Sequence, residues 1–220
     1  MKSQLNWENL HSKKRFRPQY PAESIVKFLF TNFSHEFNER KNIKIIDIGC
    51  GAGRHTRLCS EQGFNTYAVD FSKKGVVESE KLLSESNLKA RFSVADMGDL
   101  PFETETFDGA ISFGVFYYTN SAGMKRAISE MYRVLKKGAK AIVVSRTDED
   151  FRFNKGDKLE DSTFLLNNET NENNVLMHFI NEKKIVDYYS EFTKVEYIKN
   201  DLYHKGLNSK GSNWIITLEK

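Results

Sequence analysis

No uninterrupted apolar run in this chain approaches the roughly 20 residues that a membrane-spanning helix needs, which argues against a membrane protein. Residues 1–9 are polar and lack the apolar stretch of a secretory signal peptide. These two absences predict a soluble cytoplasmic protein with no membrane partner.

Cysteine is nearly absent, with only Cys50 and Cys59 in 220 residues. Cytosolic thiols stay reduced, so we expect no disulfide between them. Two cysteines without paired histidines are also no zinc signature. The sequence therefore predicts no metal site.

The chain also lacks a large excess of charge of either sign. It has 33 Lys and Arg residues and 30 Asp and Glu residues, which gives a net charge of +3. The one basic cluster, Lys13 to Arg17, is either a solvated segment or a contact for a phosphate group. A nucleic-acid surface needs a broader basic stripe with aromatic residues. The chain has no such stripe, and we expect no nucleic-acid partner.

What the chain does contain is a regular alternation of apolar strands and amphipathic helices, over a length that fits one domain, residues 1–220. Such alternation predicts an α/β fold, with a parallel sheet covered by helices on both faces. The last two strands predict a closing C-terminal antiparallel hairpin, which makes seven strands in all. The predicted strands are residues 43–48, 64–69, 90–95, 107–113, 139–145, 194–203 and 213–219, and the predicted helices are 22–37, 54–62, 73–86, 121–136 and 182–192.

The sequence also predicts an N-terminal segment, the end of one helix and an inserted loop. Residues 1–40 are predicted to form an N-terminal helical lid or substrate segment. Gly138 is predicted to end the helix 121–136. Residues 146–180 are polar and include an Asn-rich tract from Asn167 to Asn174, so we predict an irregular inserted loop that contributes to the substrate site.

A glycine-rich turn, Gly49-Cys50-Gly51-Ala52-Gly53, joins the first strand to the helix that opens at Arg54. Glycines let a backbone approach a ligand closely, and a helix N-terminus offers unpaired N–H groups. This junction predicts a site for a nucleotide-like cofactor with a negatively charged group. A dinucleotide dehydrogenase would show G-x-G-x-x-G, but here Arg54 stands where the last glycine should be.

Acidic residues follow the next two strands. Asp70 suits the two hydroxyls of a ribose, and its alternative role is a helix N-cap. Asp96 suits the exocyclic amine of adenine, with Met97 as an apolar contact to the ring, and its alternative role is a turn. Ligands of such sheets bind beyond the carboxyl ends of the strands. We therefore expect Gly51, Asp70 and Asp96 to face one molecule.

These residues resemble the motifs of class I S-adenosylmethionine-dependent methyltransferases of the type 11-like kind that acts on small molecules. The resemblance covers roughly residues 43–146 and departs from the common pattern at Ala139, where a second glycine often stands. The matching segments are Ile46-Asp47-Ile48-Gly49-Cys50-Gly51-Ala52-Gly53, Tyr67-Ala68-Val69-Asp70-Phe71-Ser72, Ala95-Asp96-Met97, Leu100-Pro101-Phe102, Phe107-Asp108 and Tyr132-Arg133-Val134-Leu135-Lys136-Lys137-Gly138.

The resemblance implies a Rossmann-like fold, with S-adenosyl-L-methionine as the cofactor and S-adenosyl-L-homocysteine as the product. It implies that the glycines face the methionine part of the cofactor and that Asp47 organises the turn or reaches the amino group. Tyr20 either contacts the cofactor from a lid formed by residues 17–21 or belongs to a plain lead-in to the first helix. The cofactor-binding residues predicted in this way are Tyr20, Asp47, Gly49, Gly51, Gly53, Asp70, Phe71, Asp96, Met97 and Phe113.

Candidates for the acceptor side lie at or beyond the end of the fourth strand. Tyr118, beside Tyr117, either lines the methyl-transfer channel or packs at a helix entry. Arg146 either faces an anionic substrate or is paired or solvated, and His178 is either a base or a packing histidine. Tyr118, Arg146 and His178 are the predicted catalytic residues.

The predicted activity is methyl transfer to a small-molecule acceptor, through an oxygen of a sugar or similar metabolite. The Asn/Asp-Pro-Pro-Tyr/Phe motif of nucleic-acid amine methylation is absent after the fourth strand, where Ser112-Phe113-Gly114-Val115 stands. The alternatives are a nitrogen acceptor on a metabolite or protein, a non-catalytic cofactor-binding partner subunit and, last, an NAD-dependent oxidoreductase. The protein is predicted to be a monomer or a homodimer.

Overall fold

The computed structural model of the chain describes residues 18–166, 174–204 and 209–220. The basic cluster at 13–17, all but the last residue of the Asn-rich tract and part of the final hairpin turn lie outside these ranges. The helices are α1 (Glu23–Asn32), α2 (Phe37–Arg40), α3 (Arg54–Glu61), α4 (Lys73–Ser84), α5 (Ser121–Val134) and α6 (Glu182–Tyr188). The strands are β1 (Lys44–Ile48), β2 (Asn65–Asp70), β3 (Arg91–Val94), β4 (Phe107–Phe113), β5 (Leu135–Arg146), β6 (Asp157–Glu160), β7 (Thr163–Leu165), β8 (Leu176–His178), β9 (Lys194–His204) and β10 (Ser209–Glu219).

The main sheet has seven strands in the order β3-β2-β1-β4-β5-β10-β9. The first five are parallel to their neighbours, and β10 pairs antiparallel with both β5 and β9. The α/β fold, the Rossmann-like sheet and the C-terminal antiparallel hairpin are thus confirmed. The strand order reverses at β1 and β4, where ligands of such sheets bind.

Helices cover both faces of the sheet because successive side chains of each buried strand point to opposite sides. Ile45 packs with α1 and α3, whereas Ile46 packs with α5 and α6. Both cysteine thiols are free and buried. Within the described ranges, no helix combines the length and the apolar character that crossing a bilayer requires.

The predicted helix 22–37 is wrong in its second half. The helix α1 ends at Asn32, Phe33 is extended, and the separate short helix α2 begins at Phe37. The Ser34 hydroxyl oxygen accepts the N–H of Glu36, a local bond that competes with the helix. Phe33 turns inward against Phe28 and Phe64, while Phe37 is half exposed and not a core residue.

The prediction that Gly138 ends a helix is also wrong. The helix α5 ends at Val134, and the chain continues directly as β5. Gly138 has φ 75° and lies inside this strand, where the pairing with β4 shifts register. A bulge of this kind inserts extra residues on one strand and favours glycine where φ is positive.

The described parts of residues 146–180 are not the irregular loop that the sequence predicted. They contain a small antiparallel sheet in the order β6-β7-β8. The apolar side chains Phe164, Met177 and Phe179 are buried and form a separate cluster with Tyr117. This small sheet is therefore held against the segment that follows β4. The helix predicted at 182–192 forms as α6, with Ile185 buried against the sheet.

Candidate active site

Two glycines of the turn, Gly49 and Gly53, lie too close to neighbouring side chains to carry a side chain of their own. Gly49 has φ 77°, and a Cβ built on it would stand 2.3 Å from the Val115 side chain. Gly53 has φ 86°, and its Cβ would stand 2.1 Å from Ser79 Oγ. A larger residue at either position would displace the loop after β4 or the helix α4. Only glycine fits both the space and the backbone conformation.

Asp70 ties this turn to the end of β2. Its Oδ2 accepts the N–H of Gly51 at 2.8 Å, and its Oδ1 accepts the N–H of Ser72 at 2.8 Å. The N-cap of α4 is Ser72, whose Oγ accepts the N–H of Gly75. Asp70 thus lies beside the helix cap and not in it, and its 8% exposed carboxylate faces the space beyond the strand ends.

A cavity of about 500 Å³ lies at this edge of the sheet, within the usual range for small-molecule sites. It brings together Gly51, Asp70 and Asp96, from the ends of β1, β2 and β3. Of the predicted cofactor-binding residues, those that line it are Gly49, Gly51, Asp70, Phe71, Asp96, Met97 and Phe113.

Three predicted cofactor-binding residues do not line this cavity. Gly53 lies behind the turn against Ser79. Asp47 is 1% exposed, accepts the hydroxyl of Thr56 at 2.6 Å, and has its pKa raised to about 6 by burial, with that hydrogen bond opposing the shift. Tyr20 is 78% exposed, and its carbonyl oxygen accepts a hydrogen bond from Arg54 at 3.2 Å.

Two neighbouring residues of α3, Arg54 and His55, form part of the cavity wall that the sequence did not assign. The Arg54 guanidinium lies 4.8 Å from the centre of the Phe113 ring, and the His55 ring centre lies 5.0 Å from it. Burial, and then the charge of Arg54, lower the pKa of His55 to about 3. His55 is neutral at ordinary pH, and its Nε2 accepts the N–H of Ala22 at 3.2 Å. The only sequence signal for both was their position directly after the glycine turn.

The aromatic pair Tyr117 and Tyr118 forms another part of the wall, with ring centres 4.4 Å apart. Arg146 and His178 do not line the cavity, but both contact Tyr117. The Arg146 guanidinium lies 5.5 Å from the Tyr117 ring centre and pairs with Asp150 at 3.3 Å. The backbone N–H of His178 donates to the Tyr117 carbonyl oxygen at 2.8 Å.

The imidazole of His178 belongs to a buried polar chain. Thr163 donates its hydroxyl to Glu160, so Thr163 accepts from His178 Nδ1 at 2.6 Å. His178 Nε2 then accepts the Tyr188 hydroxyl at 3.0 Å. Burial lowers the pKa of His178 to about 4. The side chain is therefore neutral with both nitrogens satisfied, which is the geometry of a packing histidine.

A family model described as a methyltransferase domain matches residues 45–138. The demethylmenaquinone methyltransferase of Clavibacter sepedonicus is 31% identical over 101 residues, which are 46% of this chain and 40% of that protein. The malonyl-acyl-carrier-protein O-methyltransferase of Buchnera aphidicola is 28% identical over 147 residues, which are 66% of this chain and 57% of that protein.

The crystal structure of an S-adenosylmethionine-dependent methyltransferase from Methanosarcina mazei superposes with a TM-score of 0.70 and 22% identity, over 91% of this chain and 98% of that one. At this identity the likeness shows the shared fold. The chain spans about half the length of the curated relatives it matches.

Proposed function

We propose that this protein transfers a methyl group from S-adenosylmethionine to an oxygen of a small-molecule acceptor. Residues 45–138 match a model of a methyltransferase domain, and the fold is shared with an S-adenosylmethionine-dependent methyltransferase. The observation that carries this proposal is the single cavity shared by Gly51, Asp70 and Asp96. Each residue follows a different one of three neighbouring strands, so one adenosine-containing molecule spans all three.

The cavity residues fit S-adenosylmethionine chemically. Gly49 and Gly51 leave a bare backbone at the N-terminus of α3, where a carboxylate is favoured. The Asp70 carboxylate accepts the N–H groups of Gly51 and Ser72 and lines the cavity at the end of β2. A carboxylate at this position suits the hydroxyls of a ribose. Phe71 and Met97 offer apolar surface to an adenine ring.

S-adenosylmethionine supplies an electrophilic methyl group on a sulfonium, and the protein has to hold the acceptor in line with it and exclude water. The aromatic side chains of Phe113, Tyr117 and Tyr118 form the wall beyond the glycine turn. We assign the acceptor to this wall. Tyr118 is the residue that we expect to contact the acceptor oxygen or its proton.

The acceptor predicted from the sequence is a hydroxyl of a sugar or similar metabolite. A second candidate is a hydroxyl on an aromatic ring, because three aromatic side chains line the proposed acceptor end and rings favour offset or edge contacts with one another. Curated relatives include an O-methyltransferase and a methyltransferase for demethylmenaquinone. Sugars and phenols are therefore the first two classes to test.

Calorimetry with S-adenosylhomocysteine and with NAD tests the cofactor, and we expect binding of the first alone. Tighter binding of NAD would refute the proposal. The acceptor is then sought by following S-adenosylhomocysteine formation over matched panels of sugars, phenols and amines. Turnover with hydroxyl compounds supports oxygen transfer, whereas turnover restricted to amines would replace it with nitrogen transfer. A cofactor-binding protein that turns over none of them would be a non-catalytic partner.

A further inference from the structure

Residues 18–22, which we term the strap, cross the N-terminal turn of α3 and are held there by three hydrogen bonds. Arg54 donates to the Tyr20 carbonyl oxygen at 3.2 Å. Arg57 donates to the Gln19 carbonyl oxygen at 3.1 Å. In the opposite direction, the N–H of Ala22 donates to His55 Nε2 at 3.2 Å. Each of these three hydrogen bonds joins a side chain of the helix to a backbone atom of the strap.

The same turn of α3 forms the wall of the cofactor cavity. Arg54 and His55 line the cavity and pack on Phe113, and Pro18 of the strap also lines it. The residues that hold the strap and the residues that meet the ligand are therefore neighbours on one helical turn, directly after the glycines. A shift of this turn changes both contacts together.

Arg57 separates the two roles. It donates to the strap, and it pairs with Glu61 at 3.3 Å one turn further along α3, but it is not among the residues that line the cavity. A change at Arg57 therefore loosens the strap without removing a group from the ligand site. A change at Glu61 removes the ion pair and leaves the strap contact in place.

We propose that Arg54, His55 and Arg57 are positioning residues that latch the strap beside the cofactor cavity, so that cofactor binding and strap closure stabilise each other. The inference rests on the proposed function, because it takes the cavity ligand to be S-adenosylmethionine or its product. Linkage requires that a ligand which favours the latched strap binds more tightly when the hydrogen bonds to the strap are intact.

We use the term latch for the three hydrogen bonds that Arg54, His55 and Arg57 make to the strap. Hydrogen exchange at the Ala22 amide measures directly whether one of these bonds is formed. This hydrogen points to His55, and the preceding residue, Pro21, has no amide of its own. In the unaltered protein we expect S-adenosylhomocysteine to slow exchange at Ala22. Unchanged exchange with the ligand bound overturns the latch, whereas failure to bind S-adenosylhomocysteine overturns the proposed function instead.

The matched variants are Arg57→Ala and Glu61→Gln. We expect Arg57→Ala to raise the Kd for S-adenosylhomocysteine about fivefold, which corresponds to one hydrogen bond of about 1 kcal/mol, and to remove the protection at Ala22. Arg57→Lys, which keeps a donor, should recover part of the affinity and part of the protection. Glu61→Gln should leave the Kd and the protection unchanged. Equal Kd values for Arg57→Ala and Glu61→Gln, measured by calorimetry, would show that Arg57 acts only on the stability of α3.

Discussion

The N–H of Gly51 donates to the Asp70 carboxylate at 2.8 Å, which fastens the glycine turn after β1 to the end of β2. The second oxygen of the same carboxylate accepts the N–H of Ser72 at the start of α4. Two loops that line the cavity are thus joined by one side chain. Asp70 both shapes the cavity and lines it.

Replacing Asp70 with Ala should weaken S-adenosylhomocysteine binding by about 1–3 kcal/mol, the cost of losing hydrogen bonds to a charged group. The matched control is Ser72→Ala, which removes the cap of α4. That variant should lose about 1 kcal/mol of unfolding free energy and keep its affinity. Calorimetry and urea unfolding measure the two quantities. Unchanged affinity in Asp70→Ala would remove Asp70 from the site.

Replacing Gly49 with Ala should weaken cofactor binding because the new Cβ meets Val115 at 2.3 Å. A second change, Val115→Ala, removes the two nearest atoms, Cγ2 and Cγ1, and leaves only the Cβ of residue 115, at 2.9 Å. We expect the double variant to recover part of the lost affinity, leaving about 1–2 kcal/mol of backbone strain from the left-handed conformation. A double variant no better than Gly49→Ala alone would show that the clash is not the cause.

Lowering the pH should destabilise the folded protein, because His178 takes up a proton less readily in the folded chain than in the unfolded chain. Its pKa is about 4 in the folded chain against an ordinary value of 6.5, so the unfolded chain takes up the proton first as the pH falls. The stabilisation is present above about pH 6.5 and is lost between about pH 6.5 and pH 4. Near pH 5 the loss reaches about 2 kcal/mol.

Urea unfolding of the unaltered protein and of His178→Gln at two pH values checks this. Glutamine does not titrate. The free energy of unfolding of the unaltered protein, relative to that of His178→Gln, should therefore fall by about 2 kcal/mol between about pH 7.5 and pH 5. Comparing the two proteins cancels the opposite contribution of Asp47, whose raised pKa adds stability as the pH falls. Parallel pH profiles would mean that His178 does not titrate in this way.

Replacing Tyr118 with Phe should lower kcat about 100-fold if the hydroxyl takes part in proton transfer, with the affinity for S-adenosylhomocysteine unchanged. Tyr188→Phe is the matched control, because its hydroxyl contacts His178 and Ser121 within the fold and does not line the cavity. That change should lower stability and leave kcat unaltered. Rates are measured with the acceptor found in the screen. An unchanged kcat in Tyr118→Phe would leave this residue a packing role only.

Arg146→Gln and Arg152→Gln test whether Arg146, the last residue of β5, positions Tyr117. Both arginines pair with Asp150, at 3.3 Å and 2.8 Å. The Arg146 guanidinium lies over the Tyr117 ring, whereas that of Arg152 lies over Phe151. We expect Arg146→Gln alone to raise the KM for the acceptor several-fold. An equal effect of the two variants would assign Arg146 to the support of Asp150.

Local rules were enough to predict the seven strands of the main sheet and the acidic residues at the ends of two of them. A buried apolar run before Gly49 and the capping hydroxyl of Ser72 each act through near neighbours, and both form as expected. The features that were missed depend on distant partners. The break before Phe37 follows the packing of Phe33 on Phe64, and the position of Gly138 follows the pairing of β5 with β4.

Part of the cavity wall was also missed because it depends on residues that are distant in the sequence. His55 is an ordinary helix residue in the sequence, and it is buried only because the strap and Phe113 cover it. The small sheet was missed because its strands are three or four residues long, β6 is mostly exposed, and β7 and β8 draw their burial from one another and from Tyr117. Neither arrangement leaves a periodic signal in the chain.

The contact between the small sheet and Tyr117 separates the two ends of the cavity along the chain. The residues proposed to meet the methyl donor lie at or just after the ends of β1, β2 and β3, far along the chain from β6, β7 and β8. Substitutions in β7 or β8 would therefore reach the tyrosine wall through their packing on Tyr117, while Asp70 and Asp96 keep their places. The proposed acceptor end can thus change independently of the proposed donor end.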